Sequence, residues 1–274
     1  MERFTSLPYA RAESALVMPP VYVISMASDA KRCDNVIELC ARKDISVRYF
    51  PAIALKDREQ ITAYDAAYRQ RHFGYALSAG ELGCFLSHQT LWRECLRLGR
   101  SICILEDDVE LPADFAQILR RALACESDWD VLRLLAERWD RKGFVVGRFD
   151  ETHTLCHYPR PAMGTAAYLL TPKAAERLLT TTETIRVPVD QVIDQFWHHH
   201  LRVLVVEPYP VCIRADCPSV IAVRGWSTSH GKRKRPLYRR VQRDLRNAVE
   251  SIAGWWYSLP WMGRSWWYRR ERDY

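Results

Sequence analysis

No uncharged apolar run in the 274 residues reaches the ~20 that a bilayer-spanning helix needs. Pro19-Pro20 interrupts the stretch from Ala15 to Ser28, and Pro260 interrupts the one from Ser251 to Gly263. The first stretch also makes a poor secretory leader: Glu2, Arg3, Arg11 and Glu13 precede it with mixed charge, and no small-residue cleavage site follows. The nine cysteines are odd in number and form no Cys-x-x-Cys pair, and Cys84, Cys103 and Cys212 sit inside apolar runs. That pattern speaks for buried free thiols in a reducing compartment and against a disulfide framework. With 11 Gly and 14 Pro and no internal repeat, a collagen-like or low-complexity chain is excluded. At 48% apolar residues the chain has enough side chain to bury to offset the entropy of ordering. The expectation is a cytosolic chain of one large domain, or one domain with an appendage.

Charge is unevenly placed. From Lys232 to Tyr274 there are 12 Lys or Arg against 4 acids, whereas residues 1–231 carry 28 bases against 29 acids. The same stretch holds five of the ten tryptophans, Trp255, Trp256, Trp261, Trp266 and Trp267. This shift in composition places a boundary near Gly231, dividing a body (1–231) from a tail (232–274). The tail opens with Lys232-Arg233-Lys234-Arg235. Leu237, Val241, Leu245, Ala248, Val249 and Ile252 then recur at helical spacing with Arg239, Arg240, Arg243 and Arg246 between them. A basic amphipathic helix with clustered indoles suits an anionic membrane surface. Two other readings fit the same residues: a helix packed on the body with a solvated basic face, and a nucleic-acid-binding arm. Five tryptophans are hard to hide on so short an appendage, so the membrane is the partner expected and nucleic acid is not.

In the body, short β-branched runs alternate with helical patterns. Strands are expected at 21–26, 46–50, 101–105, 130–134, 164–170 and 201–206. Helices are expected at 29–43, within 57–72, from a capping box at Ser78 and Glu81 to about Leu98, at 115–124 and at 172–179. The alternation predicts an α/β fold, a central sheet flanked by helices on both faces.

Two segments carry chemistry. Glu106-Asp107-Asp108 follows the apolar run Ser101 to Leu105, and three carboxylates at a strand end call for a neutralising partner. Alternation along an extended chain would point Glu106 and Asp108 the same way, where a divalent cation, Mn2+ or Mg2+, could be shared with substrate phosphates. The other reading is a solvated acidic loop. The second segment, Leu77 to His88, places Glu81, Ser87 and His88 near a helix start, with Gly80 and Gly83 allowing close backbone approach. His88 alone reads as either a structural or a functional histidine. His198-His199-His200 is incidental, because consecutive residues cannot all face one ion.

Taken together, these segments resemble the lipooligosaccharide-biosynthesis glycosyltransferases of family 25. The carriers are, in order, Val21-Tyr-Val-Ile-Ser25, Arg32, Leu77 to His88, Ile104 to Asp108, Trp129 to Leu134, Gly164 to Thr171, and Pro188-Val-Asp190. The resemblance runs from about residue 20 to 220 and leaves the tail outside. It implies a GT-A-like nucleotide-sugar-binding fold and inverting transfer of a sugar, often galactose, from a UDP-sugar to a lipooligosaccharide core acceptor. On that analogy Asp108 is the metal ligand, with Glu106 or Asp107 contacting the donor's sugar or ribose. Ile24, Ser25 and Arg32 line the nucleotide pocket, and Ser78, Glu81, Ser87 and His88 complete the donor-binding set. Inversion needs a carboxylate to take the acceptor proton. Asp190 is the candidate, and it reads equally as a helix N-cap. His230 is placed as a further metal ligand by chain order alone.

The loop Ser28 to Cys33, and Phe50 to Asp57 where many members have A-V-D-G, depart from the family pattern in the donor half. The implied enzyme is peripheral on the cytoplasmic face of the inner membrane, with a lipid-linked oligosaccharide acceptor. The rivals are transfer to a protein or capsule acceptor, and a non-catalytic sugar-nucleotide or nucleic-acid binding module.

Overall fold

The structure, a computed structural model, describes residues 17–27, 30–41, 45–137, 143–214 and 237–272. Among the described residues ten strands form: β1 (Val21–Ser25), β2 (Val47–Pro51), β3 (Ile102–Glu106), β4 (Val109–Glu110), β5 (Val131–Arg133), β6 (Phe144–Arg148), β7 (Thr154–His157), β8 (Ala167–Leu170), β9 (Val203–Glu207) and β10 (Cys212–Ile213). Eight of them make one sheet in the order β2-β1-β3-β8-β5-β9-β7-β6, while β4 and β10 pair as a separate ribbon. Strands β1, β2 and β3 are mutually parallel, β8 runs against β3 and β5, and β9 is parallel to β5.

Each central strand is apolar on both sides, so both faces of the sheet must be covered. Val21, Val23, Cys103, Leu105, Leu132 and Leu169 point into one core, which helices α1 (Ala30–Ala41) and α4 (Phe115–Ala124) close. Tyr22, Ile24, Ile102, Ile104, Val131 and Tyr168 point into the other. That second core is closed by α3 (Ala79–Leu98), α5 (Pro172–Thr181), α6 (Val189–Asp194) and α7 (Phe196–His199), with α2 (Ala66–Phe73) beyond them. This is the mixed sheet flanked by helices expected of a GT-A-like fold.

Ser78 starts α3 as read from the sequence. Its Oγ accepts the N–H of Glu81 while the Glu81 carboxylate accepts the N–H of Ser78. Gly83 faces the loop after β2 so closely that a Cβ there would lie 2.2 Å from the carbonyl oxygen of Ile53. Four strands went unread, the two-residue β4 and β10 of the ribbon and β6 and β7 of the main sheet. β6 and β7 are short, β6 carries an irregularity between Val145 and Gly147, and together they extend the sheet past β9. Asp150 closes the turn between them by accepting the N–H groups of Thr152 and His153.

Residues 237–272 form a single helix, α8 (Leu237–Arg272), which continues through Pro260. One of its sides rests on the body. Trp261 is buried with its indole stacked on His157 at 4.9 Å, and Ser258 Oγ lies 2.8 Å from His157 Nε2. Tyr257 donates to the carbonyl of Leu201, Arg264 pairs with Asp128, and the Arg246 guanidinium covers Phe73 at 3.8 Å. At Gly254 a Cβ would meet the carbonyl of Pro159 at 2.7 Å. The sequence boundary near Gly231 and the cluster Lys232 to Arg235 lie outside the described residues.

Candidate active site

Because β1, β3 and β5 run in the same direction and β8 in the opposite one, one sheet edge gathers the carboxyl ends of three strands and the amino end of β8. Ligands of open α/β sheets bind at such an edge. Here it carries Ser25, Glu106, Arg133 and the segment Gly164 to Ala166. Helix α3 adds Cys84 and His88, one turn apart, and α6 adds Asp190 and Asp194.

Glu106 is held by a buried chain of donors. Trp92 Nε1 donates to the Tyr168 hydroxyl at 3.0 Å, and that oxygen lies 2.9 Å from His88 Nδ1. The carboxylate that Nε2 faces can only accept, which favours the imidazole proton on Nε2 and leaves Nδ1 to accept from the hydroxyl. Nε2 faces Glu106 Oε1 at 3.7 Å, and Thr165 donates to the same oxygen at 2.8 Å. Burial by itself would raise the Glu106 carboxyl, but His88 and Thr165 outweigh it and hold the group below its ordinary range. Cys84 closes the cluster. Its sulfur, one His88 nitrogen and a Glu106 oxygen lie within 4.8 Å of one another. Burial, reinforced by Glu106 and Asp190, pushes the Cys84 thiol well up, so it is neutral.

A second network supports the other side. Arg133 is buried and donates through Nη1 to the carbonyls of Met163 and Gly164, and through Nη2 to Asp194 Oδ1 (3.0 Å) and the carbonyl of Asp190 (3.3 Å). Asp194 Oδ2 accepts the N–H of Met163 at 2.7 Å. Met163 and Gly164 both have positive φ, 59° and 83°. Arg133 and Asp194 therefore clamp the left-handed turn that delivers Thr165 to Glu106. Burial raises Asp194 to about 6 against the pull of Arg133. Burial also raises Asp190, opposed by the Gln191 N–H and Arg133 and reinforced by Glu106. The two carboxylates nearest the edge are thus driven apart, Glu106 toward ionisation and Asp190 toward proton uptake.

The edge brings together Ile24, Ser25, His88, Glu106, Asp107 and Asp190. Ile24 lies opposite Glu106 in the β1–β3 register, and Ser25 Oγ donates to Asp107 Oδ2 at 2.5 Å. The expected alternation of Glu106 with Asp108 presumed an extended chain, and the backbone is not extended there. The chain turns at Asp107-Asp108 directly after β3, so strand alternation ends there. Asp107 goes to Ser25, and the Asp108 carbonyl accepts the N–H of Arg214 at 2.8 Å. Ser78 and Glu81 are committed to the cap of α3. Ser87 donates to Gly83 O and accepts from Ile53 N, fixing α3 to the neighbouring loop. These bonds set the start and the seating of the helix that carries His88. Asp190 lies in the first turn of α6, whose N-cap residue is Pro188, so it is not the cap. Arg32 belongs to α1, and His230 lies outside the described residues. His199 accepts from Leu201 N and donates to Ile193 O, a structural pair of bonds.

Arg133, Thr165, Tyr168 and Asp194 were not singled out in the sequence. Arg133 carried a usable signal, being a lone cation in the apolar run Val131 to Leu134, where burial demands a partner.

The family model described as "Glycosyltransferase family 25 (LPS biosynthesis protein)" matches residues 18–193. Among curated proteins, the chain is 26% identical over 194 residues to a "Glycosyltransferase 25 family member" of Aedes aegypti, covering 66% of this chain and 31% of that protein. It is 24% identical over 195 residues to "Procollagen galactosyltransferase 1" of Danio rerio (66% and 32%). It is 26% identical over 192 residues to "Probable inactive glycosyltransferase 25 family member 3" of Rattus norvegicus (66% and 33%). The chain spans about a third of the length of these relatives. Its matched segment runs from the residue before Pro19-Pro20 to the last turn of α6 and so takes in every strand of the candidate edge. The chain belongs to glycosyltransferase family 25.

Proposed function

We propose that this chain transfers a hexose, galactose foremost, from a UDP-sugar to a saccharide acceptor with inversion at the anomeric carbon. The acceptor is the lipid-linked oligosaccharide of a lipooligosaccharide core. The observation that carries the reading is the opposed pair of carboxyls at one sheet edge, Glu106 kept ionised by His88 and Thr165 and Asp190 raised by burial. Asp190 takes the proton of the acceptor hydroxyl. The acceptor oxygen then bonds to the anomeric carbon as the bond to the phosphate oxygen breaks, and UDP leaves with the electron pair. Glu106, fixed in direction and charge, accepts hydrogen bonds from the donor's sugar or ribose hydroxyls, and Ile24 and Ser25 lie beside it at the end of β1.

The donor chemistry of this edge fits a divalent cation. Asp107 and Asp108 offer the hard oxygens that Mn2+ and Mg2+ prefer, whereas Cys84 and His88 are a softer set. Asp108 is the residue assigned to hold the ion, with His230 a further ligand. The ion's chemistry there is to offset the charge of the departing diphosphate. The zebrafish relative's name supports a second reading, transfer of galactose to a protein acceptor.

The test is UDP release from a panel of UDP-sugars with saccharide acceptors, with and without Mn2+. The expected result is metal-dependent release from one donor, reduced at least a hundredfold in Asp190→Asn and in Asp108→Asn. Failure of every UDP-sugar both to release UDP and to bind would overturn the proposal.

A further inference from the structure

Helix α8 exposes a second apolar side that the body does not cover. Leu245, Val249, Ile252, Trp256, Leu259 and Trp266 are all exposed, with Trp256 at 75% and Trp266 at 62%. They follow one another at steps of four, three, four, three and seven residues. On an α-helix this spacing draws a single line ~31 Å long. The buried residues of the same helix, Gly254, Ser258, Trp261 and Ser265, recur on the opposite side, against the body. Single exposed apolar residues need no explanation, but a continuous stripe with two largely exposed indoles marks a surface that meets a partner.

The charges decide what kind. Arg239, Arg240 and Arg243 stand at one end of the helix against Asp244, and Arg269, Arg270 and Arg272 at the other against Glu271, with Glu250 the lone charge from 247 to 263. Arg246 and Arg264 are held by the body. A second copy paired along this stripe, parallel or antiparallel, would bring arginine-rich ends together and be repelled at both. A layer of anionic head groups meets both ends with opposite charge and the stripe between them with acyl chain. No helix among the described residues is long and apolar enough to cross a membrane, so the helix lies along the surface. We infer that α8 seats the protein on an anionic bilayer, the Leu245-to-Trp266 stripe in the interface and the Trp261 side on the body. This is independent of the transfer reaction.

The experiment is flotation of the full-length protein with phosphatidylcholine vesicles, with and without phosphatidylglycerol, at low and high salt. It is repeated with Ile252→Ser/Trp256→Ser/Trp266→Ser, which leaves the body-facing side intact. Circular dichroism confirms the fold of the variant. Quenching of wild-type tryptophan fluorescence by brominated lipid gives a reading that needs no variant. Expected are salt-sensitive binding to the anionic vesicles only, quenching by brominated lipid, and binding at least about tenfold weaker in the variant. Absence of vesicle binding or of quenching would overturn the inference, as would a folded variant that binds as tightly as wild type. A wild-type dimer that the variant converts to monomer, with no vesicle binding, would give the stripe to a second copy instead.

Discussion

Replacing Tyr168 by Phe removes one oxygen and leaves the ring, so its effect isolates the hydrogen bonds that organise Glu106. The hydroxyl lies within 3.0 Å of Trp92 Nε1 and 2.9 Å of His88 Nδ1, and all three side chains are buried. Water has no ready route to replace it. Each buried polar group left without a partner costs about 1–3 kcal/mol, and the variant orphans two, so a loss of about 2–6 kcal/mol is expected. The ring volume is kept, so no cavity contribution adds to this. The functional consequence follows from the tautomer. Without an oxygen at Nδ1, that nitrogen no longer has a donor and competes with Nε2 for the imidazole proton, which weakens the donor that His88 offers Glu106 beside Thr165. Donor affinity should then fall while the acid limb of the rate profile, set by Asp190, stays in place. Urea unfolding followed by far-ultraviolet circular dichroism measures the first effect, and UDP-sugar titration the second. A stability change under about 0.5 kcal/mol would refute the relay from Trp92 to Glu106.

Gly83→Ala should lose about 1–3 kcal/mol, because its new Cβ meets backbone at Ile53 rather than a yielding side chain; an unchanged urea midpoint would contradict this. Burial lowers His157 and His199 from 6.5 to about 4 in the folded protein. The unfolded chain therefore takes up these protons first as the solution is acidified. Stability should decline as pH falls from 6.5 to about 4, by at most about 3 kcal/mol per histidine, and a flat midpoint across that window would be inconsistent. Since burial raises Asp190 above 3.8, the acid limb of kcat/KM should lie above the ordinary aspartate range and vanish in Asp190→Asn. A limb at or below pH 4 would remove Asp190 from the role of base.

The central sheet was legible because its inner strands are apolar on both faces, and the start of α3 because Ser78 and Glu81 form a capping box. β6 and β7 were not, because each has only four or five residues and Gly147 interrupts the β-branched pattern of β6. The acidic strand end was visible, but the directions of its side chains were not. The reading assumed an extended chain through Asp108, and the chain turns one residue earlier. Ser87 and Ser78 looked functional by type, yet their hydroxyls are spent on the start and seating of α3. Tyr168 and Thr165 lie about 60 to 80 residues from the groups they bond, a distance that local patterning does not cross. Arg133 differs from these, since a cation in an apolar strand announces a buried partner without naming it. In the tail, the helical spacing from Leu237 to Ile252 was plain, but that the helix passes through Pro260 and seats Trp261 on His157 depends on tertiary packing.

Binding of the donor needs no acceptor, so calorimetric titration with UDP-sugars in the presence of Mn2+ tests the account most directly. Saturable binding of one UDP-sugar is predicted, at least about tenfold weaker in Glu106→Gln and strongly reduced when the metal is withheld. No binding of any UDP-sugar, or equal binding by Glu106→Gln, would contradict the assignment of this sheet edge as the donor site.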